Sequence, residues 1–373
     1  LHLSIRRQRQ MCIRDRYYSA ILKEHIARAV DLLSDIVFHS VYPQAEIDKE
    51  VEVICDEIES YNDSPAELIY DEFENILFKG SSLGHNILGT AEQVRSFTTE
   101  DALRFTRKLY RPDNAIFFAY GDIDFKKLVK LVGRALADDD SGKLAEEDCH
   151  ADFSGGTGFA GDENSITTEK SVSSVKSVGP KNYPSVGEEI AGQTIVMQKN
   201  THQAHVMIGT RAYYVNDDRR MPLYLLNNIL GGPGMNAKLN LALREHNGLV
   251  YTVESTMVAY GDTGTWSIYF GCDEHDIKRC LRLVRKELDR MMEKPLSDSQ
   301  LKAAKKQIKG QIGVACDNRE NFALDFGKSF LHYGWEKNVD CLYEQVEAIT
   351  SQQIQDVARE LFDKDRLITL IFK

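Results

Sequence analysis

The chain has 373 residues, which at about 150 residues per domain fits two domains. With 42% hydrophobic and 28% charged residues and a mean hydropathy of -0.37 it reads as a globular protein, and no run nears the ~18 apolar residues a bilayer span requires. The net charge of -11 argues against a nucleic-acid binder, and seven scattered cysteines without a Cys-x-x-Cys pair make neither a disulfide framework nor a cysteine zinc site, as suits a reducing, cytoplasmic setting.

Residues 1–16 hold five arginines against one aspartate. They have neither the apolar run of a secretory signal nor the look of a transit peptide. The string Gln10-Met11-Cys12-Ile13-Arg14-Asp15-Arg16 resembles translated adapter sequence, so residues 1–16 are read as non-native and the protein's own beginning is expected to be missing.

Residues 17–137 form the first expected domain. A helix is predicted over 25–39, where Ile26, Val30, Leu33 and Val37 keep the 3.6-residue period. A second follows Pro43 with Ile47, Val51, Ile54 and Ile58 on one stripe, and a third covers 65–78. Another begins near Thr98, with Asp101 in the capping-box position. The run 115–120 reads as a buried strand. Residues 138–192 are polar and glycine-rich, a linker or insertion; no strand precedes the glycines at 155–158 and no Gly-Lys-Ser/Thr follows, so they are not a phosphate loop. The second domain, 193–373, opens with a strand at 194–197. Strands are predicted at 206–210, 265–270 and 367–372. Helices are predicted at 221–230, stopped by Gly231-Gly232, at 276–293, and from Ser297 with Gln300 completing a capping box.

An internal repeat links the two. Glu92-Gln93-Val94-Arg95-Ser96-Phe97-Thr98 matches Glu344-Gln345-Val346-Glu347-Ala348-Ile349-Thr350 at an offset of 252 residues, and each copy runs into a helix and a final apolar strand. Two copies of one α+β domain are therefore expected.

Two segments carry chemistry. Glu50 and Glu57 are seven residues apart on the second helix, so both carboxylates share a face beside the apolar stripe; on spacing alone this is also the pattern of a solvated acidic helix. Farther on, Gly231-Gly232-Pro233-Gly234-Met235-Asn236 leads to Arg244 and, past Gly248, to Tyr251. A forked guanidinium and a phenol could converge on a carbonyl or carboxylate.

In order along the chain, the Glu-x6-Glu element, Phe78-Lys79-Gly80, Leu83-Gly84, Ile87-Leu88-Gly89, Tyr110-Arg111-Pro112-Asp113-Asn114 and the block 231–253 resemble the pitrilysin/insulinase family of zinc peptidases, which includes the mitochondrial processing peptidases. The resemblance covers nearly all of 17–137 and 193–373. It implies two homologous α/β-roll domains, each a mixed sheet packed by helices, closing around an extended peptide. It also implies a zinc ion held by two histidines of an early His-x-x-Glu-His helix and one downstream glutamate. By match, Glu57 is that third ligand, Glu50 the supporting catalytic acid, and Arg244 and Tyr251 the substrate-contacting pair.

The sequence departs from the family at the centre of the chemistry. His-x-x-Glu-His occurs nowhere; Glu24-His25 invites comparison, but position 21 is Ile21. His202 and His205, three apart in the second domain, read as ordinary surface or core histidines. The motif helix is expected ahead of this chain, which then holds one ligand of three, binds no stoichiometric zinc by itself, cleaves nothing, and exposes a sheet edge in its first domain. The expected activity is that of a zinc endopeptidase acting on peptides or presequence-like segments, possible as a homo- or hetero-dimer with a homologue. The alternative is a non-catalytic peptide-binding partner of an active homologue. The peptidase reading requires Glu57 to face the cavity between the two halves; a side chain far from it, or in bulk solvent on the outer surface, would defeat that reading.

Overall fold

The computed structural model describes residues 15–137, 191–199, 201–333 and 338–373. The expectations for 1–14 and 138–190 lie outside the described residues.

The first part is helical: α1 (Ile26–Phe38), α2 (Gln44–Asn62), α3 (Pro65–Leu77), α4 (Ala91–Arg95), α5 (Thr99–Leu109) and α6 (Phe125–Ala137). The sequence explains their starts. Thr98 accepts from the Asp101 backbone amide while the Asp101 carboxylate accepts from Thr98, which closes the predicted capping box; Thr90 and Gln93 do the same for α4. Pro43 and Pro65 open α2 and α3, where a missing N–H costs nothing.

The second part contains one five-stranded sheet. In chain order it runs β1 (Thr194–Met197), β2 (Ala204–Ala212), α7 (Arg220–Gly231), a π-helical turn at Asn240–Glu245, β3 (Val250–Ala259), β4 (Gly264–Cys272), α8 (Ile277–Glu293), α9 (Asp298–Asp317), α10 (Arg319–Tyr333), α11 (Val339–Ala348), α12 (Ser351–Leu361) and β5 (Ile368–Phe372). The strand order is β1-β5-β2-β4-β3; β1 and β5 are parallel and the other pairs antiparallel. The predicted capping box of Ser297 with Gln300 is formed, and a second joins Thr350 with Gln353.

The sheet's side chains alternate between two cores. Val206, Ile208, Trp266, Ile268, Phe270 and Ile371 point to the face packed by α7, α8 and α12. Met207, Tyr269, Ile368, Leu370 and Phe372 point to the opposite face, where α3 from the first part lies with Leu68, Ile69, Phe73 and Leu77. Polar contacts fix that seam. Arg211 on β2 donates through Nε and Nη2 to the Leu77 carbonyl at 2.8 and 2.6 Å and covers the Phe78 ring. Tyr260 donates to Glu74 at 3.2 Å, and Tyr70 donates to Glu254. No helix among the described residues is long and apolar enough to cross a membrane.

Two expectations change. Residues 115–120 form no strand, because a strand exists only beside another and none of the described strands pairs with this run. Gly231 ends α7, but no left-handed cap follows: Gly232 is extended at φ -65°, ψ 175°. A Cβ on Gly231 would stand 2.5 Å from the Ser255 nitrogen, so the glycine serves the close approach of α7 to β3.

The two cores predict unequal costs for equal truncations. Phe73→Ala removes a ring sealed between α3 and the sheet and should lower unfolding free energy by about 3–5 kcal/mol. Phe105→Ala, on the exposed face of α5, should cost less than about 0.5 kcal/mol. Urea denaturation of both variants measures the difference.

Candidate active site

Helix α2 is held at its start and along one side. The Gln44 side-chain oxygen accepts from the Thr99 backbone amide at 2.9 Å, and the Thr99 hydroxyl donates to the Tyr42 carbonyl at 2.7 Å. Cys55 and Ile58 are buried against Val94 of α4, with Val51 and Ile54 at the margin. The predicted stripe is thus the packed face. Glu50 and Glu57 flank it and are both exposed. Seven residues of helix separate them by about 10 Å along the axis, so they cannot ligate one ion together.

The second part shows what such a helix face meets. Aligned on apolar stripes, Ile47, Ile54 and Ile58 of α2 match Leu301, Ile308 and Ile312 of α9. In this register Glu57 matches Gln311 and Glu50 matches Ala304. Gln311 faces α7: its side-chain oxygen accepts from the Asn228 amide at 2.6 Å, and Asn228 is buried. Ala304 packs on the same core. Glu57 and Glu50 therefore occupy the positions of a face that, in the other copy, receives a helix.

Arg244 lies one residue before the end of the π-helical turn, and Tyr251 sits just inside the edge strand β3, within the bulge between Val250 and Val253. The turn between them closes through Gly248 at φ +61°, whose amide donates to the Arg244 carbonyl at 2.8 Å. Tyr251 is 83% exposed. The Arg244 guanidinium is exposed, and its ion pair is with its neighbour Glu245 at 3.8 Å. Sequence proximity thus places the pair at one end of the sheet edge. The structure records no contact joining either residue to Glu50 or Glu57.

His202 and His205 line a cavity of about 410 Å³ with Asn62, Asp63, Lys199 and Gln203, where the α2–α3 turn meets the β1–β2 loop. His205 Nδ1 lies 2.9 Å from the Tyr269 hydroxyl, and the Tyr269 ring packs on Tyr70. Burial pushes the His205 imidazole below its ordinary value of 6.5. The Tyr70–Glu254 and Glu74–Tyr260 bonds of this seam were not anticipated. Their signal was the spacing of Tyr70 and Glu74, four apart on one face of α3.

Tetrahedral zinc needs three protein donors around one point. Among the described residues the one such group is Asp273, His275 and Asp276, on the loop before α8, with both Asp273 and His275 exposed. The described residues around Glu57 offer single carboxylates and do not make a zinc site by themselves.

Comparisons with known proteins bear on both parts. The description "Insulinase (Peptidase family M16)" matches residues 12–91, and "Peptidase M16 inactive domain" matches residues 96–308. A protein of Bacillus subtilis described as an uncharacterized zinc protease is 27% identical over 358 residues, covering 95% of this chain and 77% of its own length. A similarly described zinc protease of Streptomyces coelicolor is 27% identical, covering 95% and 71%. Among solved structures, a protease from Helicobacter pylori superposes with a TM-score of 0.75 at 17% identity, covering 95% of this chain and 78% of that one. A peptidase M16 inactive domain from Pseudomonas fluorescens superposes at 0.68 and 16% identity, covering 92% and 74%. The solved structures, at these identities, establish the mixed α+β fold.

A pH dependence follows from His205. Its imidazole takes up a proton less readily folded than unfolded, so the unfolded state binds more protons as pH falls through 6.5 and stability drops. The urea midpoint should decline between pH 7 and pH 5, and His205→Gln should flatten part of that decline.

Proposed function

Because the chain belongs to the insulinase family of peptidases, family M16, we propose that it carries one metal ligand and the substrate wall of a zinc-dependent endopeptidase that hydrolyses peptides or unfolded segments. The observation that carries the reading is the register of Glu57. The matching Gln311 spends its amide on Asn228 of a packed helix, whereas position 57 offers a carboxylate toward the corresponding space, an oxygen donor suited to zinc beside two imidazoles. When bound, zinc supplies an activated water and polarises the scissile carbonyl.

The chain's own residues do the rest. Glu57 gives one ligand oxygen. Glu50, too distant to share the ion, supports the ligand-bearing helix from the same face. The edge strand β3 can take up an extended peptide by main-chain pairing, with Arg244 and Tyr251 at its end to hold a carbonyl or carboxylate. The net charge of -11 draws basic peptides weakly at physiological salt. A cytoplasmic setting accords with scattered cysteines, five of which are free thiols among the described residues.

A second reading is a non-catalytic peptide-binding subunit partnering an active homologue. It is favoured by the single-carboxylate surroundings of Glu57 among the described residues. The two readings separate on the polypeptide extended into the coding sequence upstream of residue 17. The peptidase reading expects zinc-dependent hydrolysis of an unfolded polypeptide, reduced at least about 100-fold by Glu57→Gln and about 10–100-fold by Glu50→Gln. Full activity in the Glu57→Gln variant, or an upstream frame without a histidine-bearing helix, sinks it in favour of the partner subunit.

A further inference from the structure

Every second residue of β4 turns toward α8, and the row is Trp266, Ile268, Phe270 and Cys272. The stripe that α8 turns toward the sheet is Ile277, Cys280, Val284, Leu288 and Met291. Only residues 273–276 join strand to helix, so the last residue of the row and the first turn of the stripe meet at one corner of the core. Cys272 is 3% exposed there and Cys280 0%. The two thiols are hydrogen-bonded, Cys272 donating and Cys280 accepting. That bond holds the Cys280 thiol below its ordinary range, with Arg279 acting in the same direction and burial and Asp276 opposing. The same bond pushes Cys272 up, and burial adds to it.

Packing alone does not call for this pair, since two small apolar side chains would fill the corner without a reactive group. Cys55 is the contrast within the chain. It is equally buried, at 2% exposed, but packs among Ile58, Val94, Val51 and Ile54. The corner also lies beneath the end of the sheet where Arg244 and Tyr251 stand. Cys272 is in register with Val250 of β3, the residue before Tyr251. Arg279 donates at 3.0 Å to the side-chain oxygen of Asn247, in the turn between Arg244 and Tyr251.

We propose that Cys272 and Cys280 form a dithiol oxidation site, converted to an intramolecular disulfide by an oxidant of the peroxide class. The Cys280 thiolate attacks one peroxide oxygen, the O–O bond breaks, and the hydroxide released leaves as water with the thiol's proton. The Cys280 sulfur is then a sulfenic acid. The Cys272 sulfur attacks it and displaces the second hydroxide, which takes the Cys272 proton and leaves as water. One S–S bond forms, one O–O bond breaks, and two electrons pass from the sulfurs to the peroxide. A dithiol reductant reverses the reaction. A thiol of lowered pKa in the first turn of a helix, with a second thiol against it, is the arrangement such chemistry needs. Access is through the turn 273–276, where Asp273, Glu274 and His275 are exposed. Opening that turn uncovers both sulfurs while the sheet stays paired. The bond ties the end of β4 to α8 beneath the turn that carries Arg244 and Tyr251. The inference does not depend on zinc or on peptide hydrolysis.

Peptide mapping tests it. Trypsin cuts after Lys278 and Arg279, which puts the two thiols on separate peptides. The folded chain is treated with hydrogen peroxide, blocked with N-ethylmaleimide and digested without reductant. Peptides joined through Cys272 and Cys280 should accumulate at least about 10-fold faster than any oxidation of Cys55, and dithiothreitol should separate them. Cys272→Ala should leave Cys280 as a sulfenic acid that dimedone captures, and Cys280→Ala should leave Cys272 reduced. Cys272 and Cys280 still free when Cys55 has oxidised overturn the proposal. So does a joined pair that forms only in urea, where the fold no longer brings the thiols together. A Cys280→Ala chain whose Cys272 oxidises as fast as in the unaltered chain overturns the role of Cys280 as the attacking thiol. The joined peptides are read in the unaltered chain, so a variant that fails to fold leaves the test intact.

Discussion

A helix borrowed from the first part closes the second part's sheet. A five-stranded sheet with apolar side chains on both faces needs cover on both, and α7, α8 and α12 cover only one. The other is closed by α3, whose Phe73 and Leu77 are almost fully buried against Ile368, Leu370 and Phe372. Hydrophobic area supplies most of the attachment, since a buried Leu or Phe contributes about 1.5–3 kcal/mol. Polar contacts supply direction: Arg211 takes up a carbonyl at the C-terminal end of α3 that the helix leaves without an intrahelical donor, and Tyr260 and Tyr70 fix the rotation of the helix over the strands.

This exchange of cover makes the repeat informative beyond the motif that first revealed it. Helices α3 and α10 play one role in opposite parts, so any residue in one part has a reference environment in the other. The comparison locates Glu57. Gln311 and Asn228 form a neutral amide pair inside a partly buried seam, where an unpaired charge would be costly. A carboxylate in the same register belongs where a cation or solvent receives it. Gln311 is bonded within that seam, whereas Glu57 is exposed.

Much of this was legible from residues. Four capping boxes, two of them predicted, lie where Ser or Thr precedes Asp or Gln by three, because caps are decided within one turn of chain. Four of the five strands of the second part and the stripe on α2 were legible from their apolar patterns, whereas β3 was not delimited. The failures are non-local. Residues 115–120 have every mark of a strand, but pairing depends on a neighbour that composition cannot supply. Gly231 reads as a helix stop, while its necessity comes from Ser255, 24 positions on. For the site, spacing placed Glu50 and Glu57 on one face, and the turn sequence placed Arg244 near Tyr251. The seam bonds of Tyr70 and Tyr260 were invisible, since each joins residues more than 180 apart.

Divergence between the copies has a simple physical direction. The second part satisfies its polar groups internally: Asn228 on Gln311, Asn227 on Ser255, Arg285 on the Phe362 carbonyl. These bonds tie α7 to α9 and β3, and α8 to the end of α12, while Tyr251 and Arg244 stand exposed at the β3 edge. The first part has Glu57 where α9 has Gln311, and Glu50 where α9 has Ala304. Under the proposed function, the exposed carboxylate would hold a metal where charge is tolerated and the donors at the strand edge would hold a peptide.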